Sequence, residues 1–473
     1  MGRDAQGGGD TVLVVAGLAC IGLAALSSTH VIHGDVSRFV VSALAHGLIY
    51  LAAVWWVLAR GAGPRTLLII LAMALVMRGI SMTVPHNVLT TDALRYVWDG
   101  RIQWAGFNPY LYAPADERLA HLRDLVIFPF INQKETAVTI YPPVAEMIFM
   151  AGVAVKDSVA GMQLTMLAFE SLLVWSLIGC LGQLGLPRER VLIYAWHPLP
   201  VWELASQAHI DAATAALVML AVHLRLANRF WLAGCVIGLA TATKYYPALL
   251  LAVLLPRPPW IDGLLSRLPL RHWRAGSPAL DGHDRTSSGR KSEWLEMLLA
   301  FAATLVIVYL PYWWSAGLKV IGFLNRHLDN EGYWAGYGFH VIWLLRDFAL
   351  ADPPGRLYIA LAAAVLAAIL AWCFLARGPR EVPVRALLAL AVAFTWLTSP
   401  HYPWYFAWIV PLAALRPGPA VLAFTILPLT LYAAGSSPTL SSSAIYGLVF
   451  GVPLAMLVAD RLIRRASRRP PSC

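Results

Sequence analysis

Runs of about 20 apolar residues recur along the whole chain, and no other feature of the sequence restricts its possible folds as strongly. A helix of that length spans the hydrocarbon of a bilayer and makes all its backbone hydrogen bonds internally. Only 13% of the 473 residues are charged, against about 25% in soluble proteins. The sequence therefore predicts an all-α polytopic membrane protein, a bundle of about 12–14 transmembrane helices, and disfavours a soluble protein with a very apolar core.

The apolar runs also give approximate positions for the membrane spans. The first run has no small-residue cleavage site, so we expect a retained helix and not a signal peptide. The predicted spans are Val12–Ser28, Phe39–Ala59, Thr66–Val84, Gly161–Gln183, Val191–Ser206, Ile210–His223, a broken pair Phe230–Pro256 bent near KYYP, Leu295–Trp314, Leu357–Phe374, Ala386–Thr398, Trp404–Leu415 and two more before the C-terminal tail.

Basic residues mark one face of the predicted bundle. The net charge is +10, and Lys and Arg concentrate in connections between spans and in the C-terminal tail. Cytoplasmic loops carry such an excess, so these segments and both termini are expected in the cytoplasm, and no nucleic acid partner is implied. The connections are Arg60–Arg65, Leu186–Arg190, Leu224–Arg229 and Arg257–Lys291.

No soluble domain or internal repeat is visible, which predicts a single integral membrane domain over residues 1–473. Within it we expect the first three spans in 1–84, an outer loop with interfacial helices in 85–160, and further spans in 161–256. A basic cytoplasmic loop follows in 257–293, then C-terminal spans in 294–460 with an outer loop at 315–355, and a basic tail in 461–473.

The longest polar stretch, Thr91–Pro143, cannot lie in hydrocarbon and is expected outside the cytoplasm. It starts with a predicted helix, Asp92–Gln103, and ends at Tyr141 of the YPP turn that starts a predicted interfacial helix, Tyr141–Val155. At 100° per residue one helix face is polar, which indicates either a binding surface or a solvated face with internal Asp–Arg pairs. That face carries Asp92, Arg95, Tyr96, Asp99 and Gln103.

A second polar constellation, WHPLPVWELASQAHID, contains Glu203, His209 and Asp211 between two apolar runs. Ionisable groups at membrane depth are functional candidates, and the prolines in this stretch break the helix so that its free backbone groups line a cavity. The alternative is an ion pair that only joins neighbouring helices.

Cationic side chains recur near the ends of later spans and could hold a phosphate. A lone Lys inside the apolar ATKYYP segment needs an anionic partner, for which a lipid phosphate, Glu203 and Asp211 are the candidates. Arg78, inside the third span, is expected to extend its side chain outward to the interface. The phosphate candidates are Lys244, Arg326, His327, His340 and His401.

Metal, zinc and nucleotide sites have no sequence signature here. The five cysteines are scattered without a CxxC pair, and the histidines lack an HxxxH spacing. There is also no Walker loop, GxGxxG or GxSxG. A reaction outside the cytoplasm has no nucleotide pool, so an activated donor would arrive through the membrane, as a lipid-linked sugar phosphate does. That chemistry needs a carboxylate base and cations for the leaving phosphate.

The chain resembles the GT-C superfamily of polyprenyl-phosphate-sugar-dependent glycosyltransferases, and is similar to bacterial polyprenol-phosphate-mannose mannosyltransferases. The resemblance rests on five stretches, in order, between about Leu67 and Leu415. These stretches are DALRYVWDGRIQWAGFNPYLY, INQKETAVTIYPP, WHPLPVWELASQAHIDA, GLATATKYYP and HYPWYFAW.

The resemblance implies a GT-C-like bundle and transfer of a hexose, with mannose favoured, from a polyprenyl-phosphate donor to a lipid or glycan acceptor. The catalytic carboxylate would be Asp92, the general base of an inverting displacement, although Thr91 stands where many members have a second acid. Asp211 resembles the acid that ends the second motif, and Lys244 and His401 resemble donor-phosphate contacts, with Arg326 weaker. Tyr141 belongs to the entry of the interfacial helices.

The same resemblance implies a bacterial inner membrane with the active site facing the periplasm. It implies no cofactor, and it leaves a divalent metal open. The alternative functions are a transporter or flippase of a lipid-linked sugar or solute, and a non-catalytic scaffold. A transporter predicts related halves and charges at mid-membrane; the chain has no repeat, and its polar groups cluster towards one face.

Overall fold

The computed structural model describes residues 2–60, 63, 65–266, 290–348, 353–375, 381–434 and 441–466. Within these ranges every regular element is a helix, and no residue forms a strand. The predicted all-α class is therefore confirmed. Most of the predicted basic loop, at 267–289, lies outside the described residues. So do 349–352 of the predicted outer loop, 376–380 of the basic connection before α17 and 467–473 of the tail.

Three helices open the chain: α1 (Gly2–Ile32), α2 (Val36–Arg60) and α3 (Thr66–Ser81). They contain the first two predicted spans and all but the last three residues of the third, and α1 packs against both of the others. The turn between α1 and α2 uses Gly34 at a φ of +72°, a left-handed conformation that costs glycine little.

The polar stretch forms α4 (Asp92–Trp104), two 3₁₀ turns (Glu117–Leu122 and Phe128–Phe130) and then α5 (Pro143–Val155). Proline fits the first turn of α5 because that turn has no use for its missing N–H. A Cβ on Gly100 would lie 2.4 Å from the Phe149 carbonyl oxygen, so α4 and α5 touch backbone to backbone. This contact holds the polar helix against an apolar one.

The next region contains a helical break that matters for the site. After α6 (Val159–Gln183) come α7 (Leu192–Ala195), α8 (Pro198–Pro200), a π-helix (Val201–Ser206) and α9 (Asp211–Leu226). The axes on either side of the break differ by 116°. Ala208, within it, has a φ of +54°, which is uncommon for a residue with a Cβ. Single π-helical turns and such conformations are frequent at functional sites.

The predicted break near KYYP is confirmed. Helix α10 (Phe230–Thr241) ends just before Lys244, and α11 (Ala248–Leu254) begins just after it. Two further helices are α12 (Pro259–Ser266) and α13 (Arg290–Ala316). A Cβ on Gly234 would lie 2.3 Å from the Met297 carbonyl oxygen, so α10 and α13 also pack closely.

The C-terminal part alternates long apolar helices with short segments. Its helices are α14 (Leu324–Asn330), α15 (His340–Asp347), α16 (Gly355–Leu375), α17 (Val384–Thr398), α18 (Ile409–Leu415), α19 (Pro419–Ile426), α20 (Ser442–Tyr446) and α21 (Val452–Ala466). Three 3₁₀ helices also belong to this part: Gly317–Ile321, Pro403–Phe406 and Leu427–Ala433.

Six helices in the described part of the chain are long and apolar enough to cross a membrane, or seven if the bent pair around the break counts as one span. The protein is therefore a polytopic membrane protein. The predicted number of about 12–14 spans also needs shorter apolar helices, such as α3 and α17, to cross, and it stays a prediction. The six candidates are Asp10–Ile32, Val36–Arg60, Val159–Gln183, Ser292–Asn330, Gly355–Leu375 and Ser442–Ile463.

Arg78 corrects one prediction. Its guanidinium does not extend to an interface but is buried against Glu170 of α6, with the Nη2–Oε1 distance at 2.7 Å. The Tyr194 hydroxyl donates to the same carboxylate at 2.6 Å, and Arg78 also donates to the Ala195 carbonyl at 2.8 Å. The pair neutralises both charges, so the arginine has a counter-ion inside the bundle and gains nothing from reaching water.

Candidate active site

Asp92 is the first residue of α4, where the helix leaves its N-terminal N–H groups free. Its side chain keeps 26% of its surface exposed, while His209 beside it has none. Burial raises the pKa of Asp92 to about 6; Lys244 opposes the rise, and Asp211 and Glu331 add to it. A carboxylate with this pKa is ionised at neutral pH and is a stronger base than an ordinary aspartate.

His209 lies in the break before α9 and is fully buried. Its Nδ1 is 3.8 Å from Asp92 Oδ2, and its Nε2 is 3.5 Å from Glu203 Oε2. Neither nitrogen has a hydrogen-bond partner among the described residues, whereas the ring stacks on Trp404 at a centroid distance of 4.0 Å. A buried polar ring without partners is costly to the fold, so its nitrogens are available to a group that arrives with a ligand.

Glu203 stands on the π-helix behind His209 and is also fully buried. The Tyr432 hydroxyl donates to its Oε2 at 3.0 Å, while Oε1 has no partner in the described part of the protein. His209 thus lies within 4 Å of a carboxylate on either side, and of these two carboxylates only that of Asp92 is partly exposed.

Lys244 supplies a cation to the same region. Its ammonium contacts both oxygens of buried Asp211, at 2.8 and 2.7 Å, and lies 4.5 Å from the centre of the Tyr405 ring. An ammonium has three donors, so two bonds to Asp211 leave a third for another acceptor. The break after α10 brings Lys244 here, and its charge lowers the pKa of Asp92, which places it within electrostatic reach of the base.

Glu331 belongs to this region but was missed in the sequence analysis. The Tyr402 hydroxyl donates to its Oε1 at 3.3 Å, and His401 Nδ1 lies 3.4 Å from its Oε2. His401 holds the pKa of Glu331 below the usual range, and the negative charge of Glu331 in turn raises the pKa of Asp92. The only sequence signal was its place among the histidines of NRHLDNEGYWAGYGFH, where an acid looked like an ordinary loop residue.

His327 lies between the charges of this region. Burial lowers its pKa; Lys244 also lowers it, while Glu331 raises it. The structure therefore brings together seven of the predicted site residues around the break in front of α9: Asp92, Glu203, His209, Asp211, Lys244, His327 and His401.

Other predicted residues of α4 lie in a separate network one turn or more along the helix. Asp99 is fully buried and paired with Arg95, whose Nε lies 2.8 Å from Oδ1. Burial raises the pKa of Asp99 and Arg95 opposes the rise. Glu146 of α5, a lone acid in an apolar segment that the sequence analysis passed over, accepts from the Thr139 hydroxyl at 2.5 Å and from Gln103 Nε2 at 3.0 Å.

The two tyrosines predicted as site residues, Tyr96 and Tyr141, contact each other and α5. The Tyr141 hydroxyl donates to that of Tyr96 at 3.2 Å, and the Tyr96 ring stacks on Phe149 at 4.3 Å. Tyr96 is buried and Tyr141 is partly exposed. Their substrate-binding role stays a prediction, and the contacts show that both also pack α4 on α5.

His340 and Arg326 lie apart from the Asp92 region. His340 shares a hydrogen bond with the Ser399 hydroxyl at 2.6 Å and stacks on Phe450 at 4.1 Å. Burial lowers its pKa to about 4, so it is neutral at pH 7. Arg326 is exposed, with its guanidinium 5.7 Å from the Phe323 ring. A role of either residue in binding phosphate is still a prediction.

A divalent cation would need three or more oxygen or nitrogen ligands around one point. Across the described ranges no three His, Cys, Asp or Glu residues form such a group. The chemistry that the side chains can perform themselves is proton abstraction by Asp92 next to a cation, Lys244, that can hold an anionic leaving group.

The comparisons with known proteins give one match, to a family model. The family model of glycosyltransferase family 87 matches residues 139–265, from just before α5 to the end of α12, a segment that contains Glu203, His209, Asp211 and Lys244. No curated protein and no solved structure matches the chain. The match supports a glycosyltransferase with sugar donor and acceptor substrates, as the resemblance predicted. Over residues 139–265 this polytopic membrane protein is thus similar to glycosyltransferase family 87.

Proposed function

We propose that this protein transfers a hexose, preferably mannose, from a polyprenyl-phosphate donor to a lipid or glycan acceptor. The reaction is a single inverting displacement with Asp92 as general base. It takes place at the periplasmic face of a bacterial inner membrane, and both chain termini lie in the cytoplasm. The basic connections of the chain support this orientation, because short cytoplasmic loops are enriched in Lys and Arg.

The proposed reaction balances without an added reagent. Asp92 removes the proton of an acceptor hydroxyl while the oxygen of that hydroxyl attacks the anomeric carbon of the donor sugar. The bond from that carbon to the phosphate oxygen breaks, and polyprenyl phosphate leaves with the electron pair. The phosphate gains one negative charge and Asp92 gains the proton, which it later gives to water. No atom is oxidised or reduced, so the step needs a base and an anion-binding cation only.

The observation that carries the proposal is the environment of Asp92. Asp92 is the more exposed of the two carboxylates beside His209, and its pKa of about 6 keeps it ionised yet basic at pH 7. Lys244 is close enough to lower that pKa, and it has a third N–H beyond its two bonds to Asp211. A base and a phosphate-binding cation within one region are the two groups that the transfer requires.

The test is a transfer assay with purified protein in detergent. Radiolabelled polyprenyl-phosphate-mannose is offered first, then the glucose, galactose and arabinose equivalents, with a membrane lipid extract as acceptor. Asp92→Asn is assayed beside the unmodified protein. We expect a labelled product from the mannose donor, released polyprenyl phosphate in equal amount, and no product from the variant.

Two outcomes would overturn the proposal. Continued transfer by Asp92→Asn at the normal rate would remove Asp92 from the role of base. Tight binding of the donor without consumption, together with movement of the donor across proteoliposome membranes, would favour the transporter instead.

A further inference from the structure

A cavity of about 230 Å³ lies beside the Asp92 region and is not part of the base and cation described above. It is formed where α15, the His401 segment and α20 meet. Pockets for drug-sized ligands start at roughly 300 Å³, so this one suits a single small unit and not a lipid tail or an oligosaccharide. The lining residues are Tyr337, His340, Trp343, His401, Ser442 and Tyr446.

The lining residues combine aromatic faces with hydroxyl, indole and imidazole groups. None of the six is Lys, Arg, Asp or Glu, and His340 is neutral because burial lowers its pKa to about 4. Such a lining has little to offer a phosphate, which needs charged donors. It suits the alternating C–H and hydroxyl surface of a sugar ring, since Tyr and Trp present an apolar face and a polar edge together.

Several polar groups of the lining have no partner in the protein. The hydroxyls of Tyr337, Ser442 and Tyr446 and the indole N–H of Trp343 make no hydrogen bond to any residue that the structure describes. The rings themselves are held in place: Trp343 meets Tyr446 edge to face at 5.4 Å, and His340 stacks on Phe450. A fixed aromatic frame with unused donors and acceptors is pre-organised for a polyhydroxylated ligand.

The cavity is joined to the Asp92 region through His401. That ring lines the cavity and lies 3.4 Å from Glu331, whose charge acts on both Asp92 and Tyr446. A sugar ring in the cavity would lie against His401, on the side of the cavity that borders Glu331. The donor phosphate belongs at Lys244, which lies on Asp211 and Tyr405 and does not line the cavity.

We propose that this cavity binds a sugar ring of the acceptor, so that the acceptor is a glycoside and not a lipid without a sugar headgroup. The identification of the ligand as the acceptor rests on the proposed function. The existence of a sugar-binding site does not, because binding of a sugar can be measured without turnover.

The first experiment measures binding of methyl α-mannoside, with methyl glucoside and galactoside as alternatives, by saturation-transfer NMR on the full chain in detergent. We expect binding by the unmodified protein and by Asp92→Asn. Affinity should fall about tenfold or more in Trp343→Ala and Tyr446→Ala, because each removes a ring face. The matched control is Trp314→Ala, which truncates an indole that is 83% exposed on α13 and is not one of the lining residues.

The milder variant Tyr446→Phe keeps the ring and removes only the hydroxyl, so it tests the site even if the alanine variants misfold. A thermal unfolding midpoint is recorded for each protein. Equal affinity of all cavity variants and of the unmodified protein would overturn the site. So would the absence of glycoside binding by the unmodified protein.

The second experiment separates this site from the proposed reaction. In the transfer assay Trp343→Ala and Tyr446→Phe should raise KM for the acceptor and leave KM for the polyprenyl-phosphate donor unchanged. A higher KM for the donor alone would overturn the assignment to the acceptor. If glycosides bind through Trp343 and Tyr446 but no donor is ever consumed, the sugar site stands and the proposed transfer reaction fails.

Discussion

Helix α4 carries two acidic regions that differ in how their polar groups are satisfied. Around Asp99 and Glu146 all four carboxylate oxygens accept hydrogen bonds, from Arg95, Thr139 and Gln103. Around Asp92 the two nitrogens of His209 and one oxygen of Glu203 have no partner in the described part of the protein. In the first region every carboxylate oxygen has a partner, although Arg95 Nη2 has none among the described residues. The second region leaves a carboxylate oxygen and both nitrogens of a buried imidazole for a ligand.

The buried pair of Arg78 and Glu170 resembles the Asp99 region. There too the carboxylate is saturated, by the guanidinium and by the Tyr194 hydroxyl. Charge and burial alone therefore do not distinguish the acids proposed for the reaction from those that only join helices. The partners of the carboxylate oxygens differ between the two regions of α4, so we expect variants of the two regions to fail in different ways.

The largest effect is expected from Asp92→Asn. Loss of a general base costs roughly 10²–10⁴-fold in rate, so transfer should fall by about 10³-fold. The unfolding midpoint should not fall, because the change removes a charge that burial disfavours. Single-turnover transfer and thermal unfolding measured on the same preparation check this, and a variant that unfolds before it loses activity would contradict it.

The opposite result is expected from Asp99→Asn. It leaves the Arg95 guanidinium, only 14% exposed, without its paired carboxylate, and breaking such a pair costs about 3 kcal/mol. The unfolding midpoint should fall clearly, while KM values of the protein that remains folded stay within about twofold. Normal stability combined with a specific loss of donor or acceptor binding would move Asp99 into the site.

A smaller effect is expected in the pH dependence. The base acts when ionised, so kcat/KM should rise with pH through a midpoint near 6 and level off above it. Glu331→Gln removes a negative charge that raises the pKa of Asp92, so the rise should move to lower pH. A profile measured from pH 4.5 to 8.5 checks both; a shift to higher pH would show that Glu331 acts otherwise.

The smallest effect is expected from Arg326→Ala. Its side chain is exposed, with the guanidinium 5.7 Å from the Phe323 ring, so the unfolding midpoint should stay unchanged and kcat/KM should change by less than about twofold. Lys244→Met, as a matched cation variant, should lose far more, because it also leaves Asp211 buried without its partner. An increase in donor KM for Arg326→Ala equal to that for Lys244→Met would restore Arg326 as a phosphate contact.

Helix positions were largely predictable because each depends on a local pattern. The predicted helix Asp92–Gln103 is observed as Asp92–Trp104, and the span Gly161–Gln183 as Val159–Gln183. The breaks at the prolines after His197 and at the KYYP segment were predictable too, since proline cannot continue a helix. The assignment of Asp92 and Asp99 to two separate networks was not predictable, because these residues are seven positions apart and share one face of α4.

The sequence by itself determined that the protein is an all-helical membrane protein, where its helices break, and which residue types could serve as base and cation. Hydropathy and helix breaking are local properties of the sequence, so they can be predicted without knowledge of the fold. Only the tertiary structure decided that His209 lies between Asp92 and Glu203, that Glu331 joins them, and that Glu146 completes the network of Asp99. Those partners come from separate helices and loops, and hydrogen-bond satisfaction is a property of the assembled bundle.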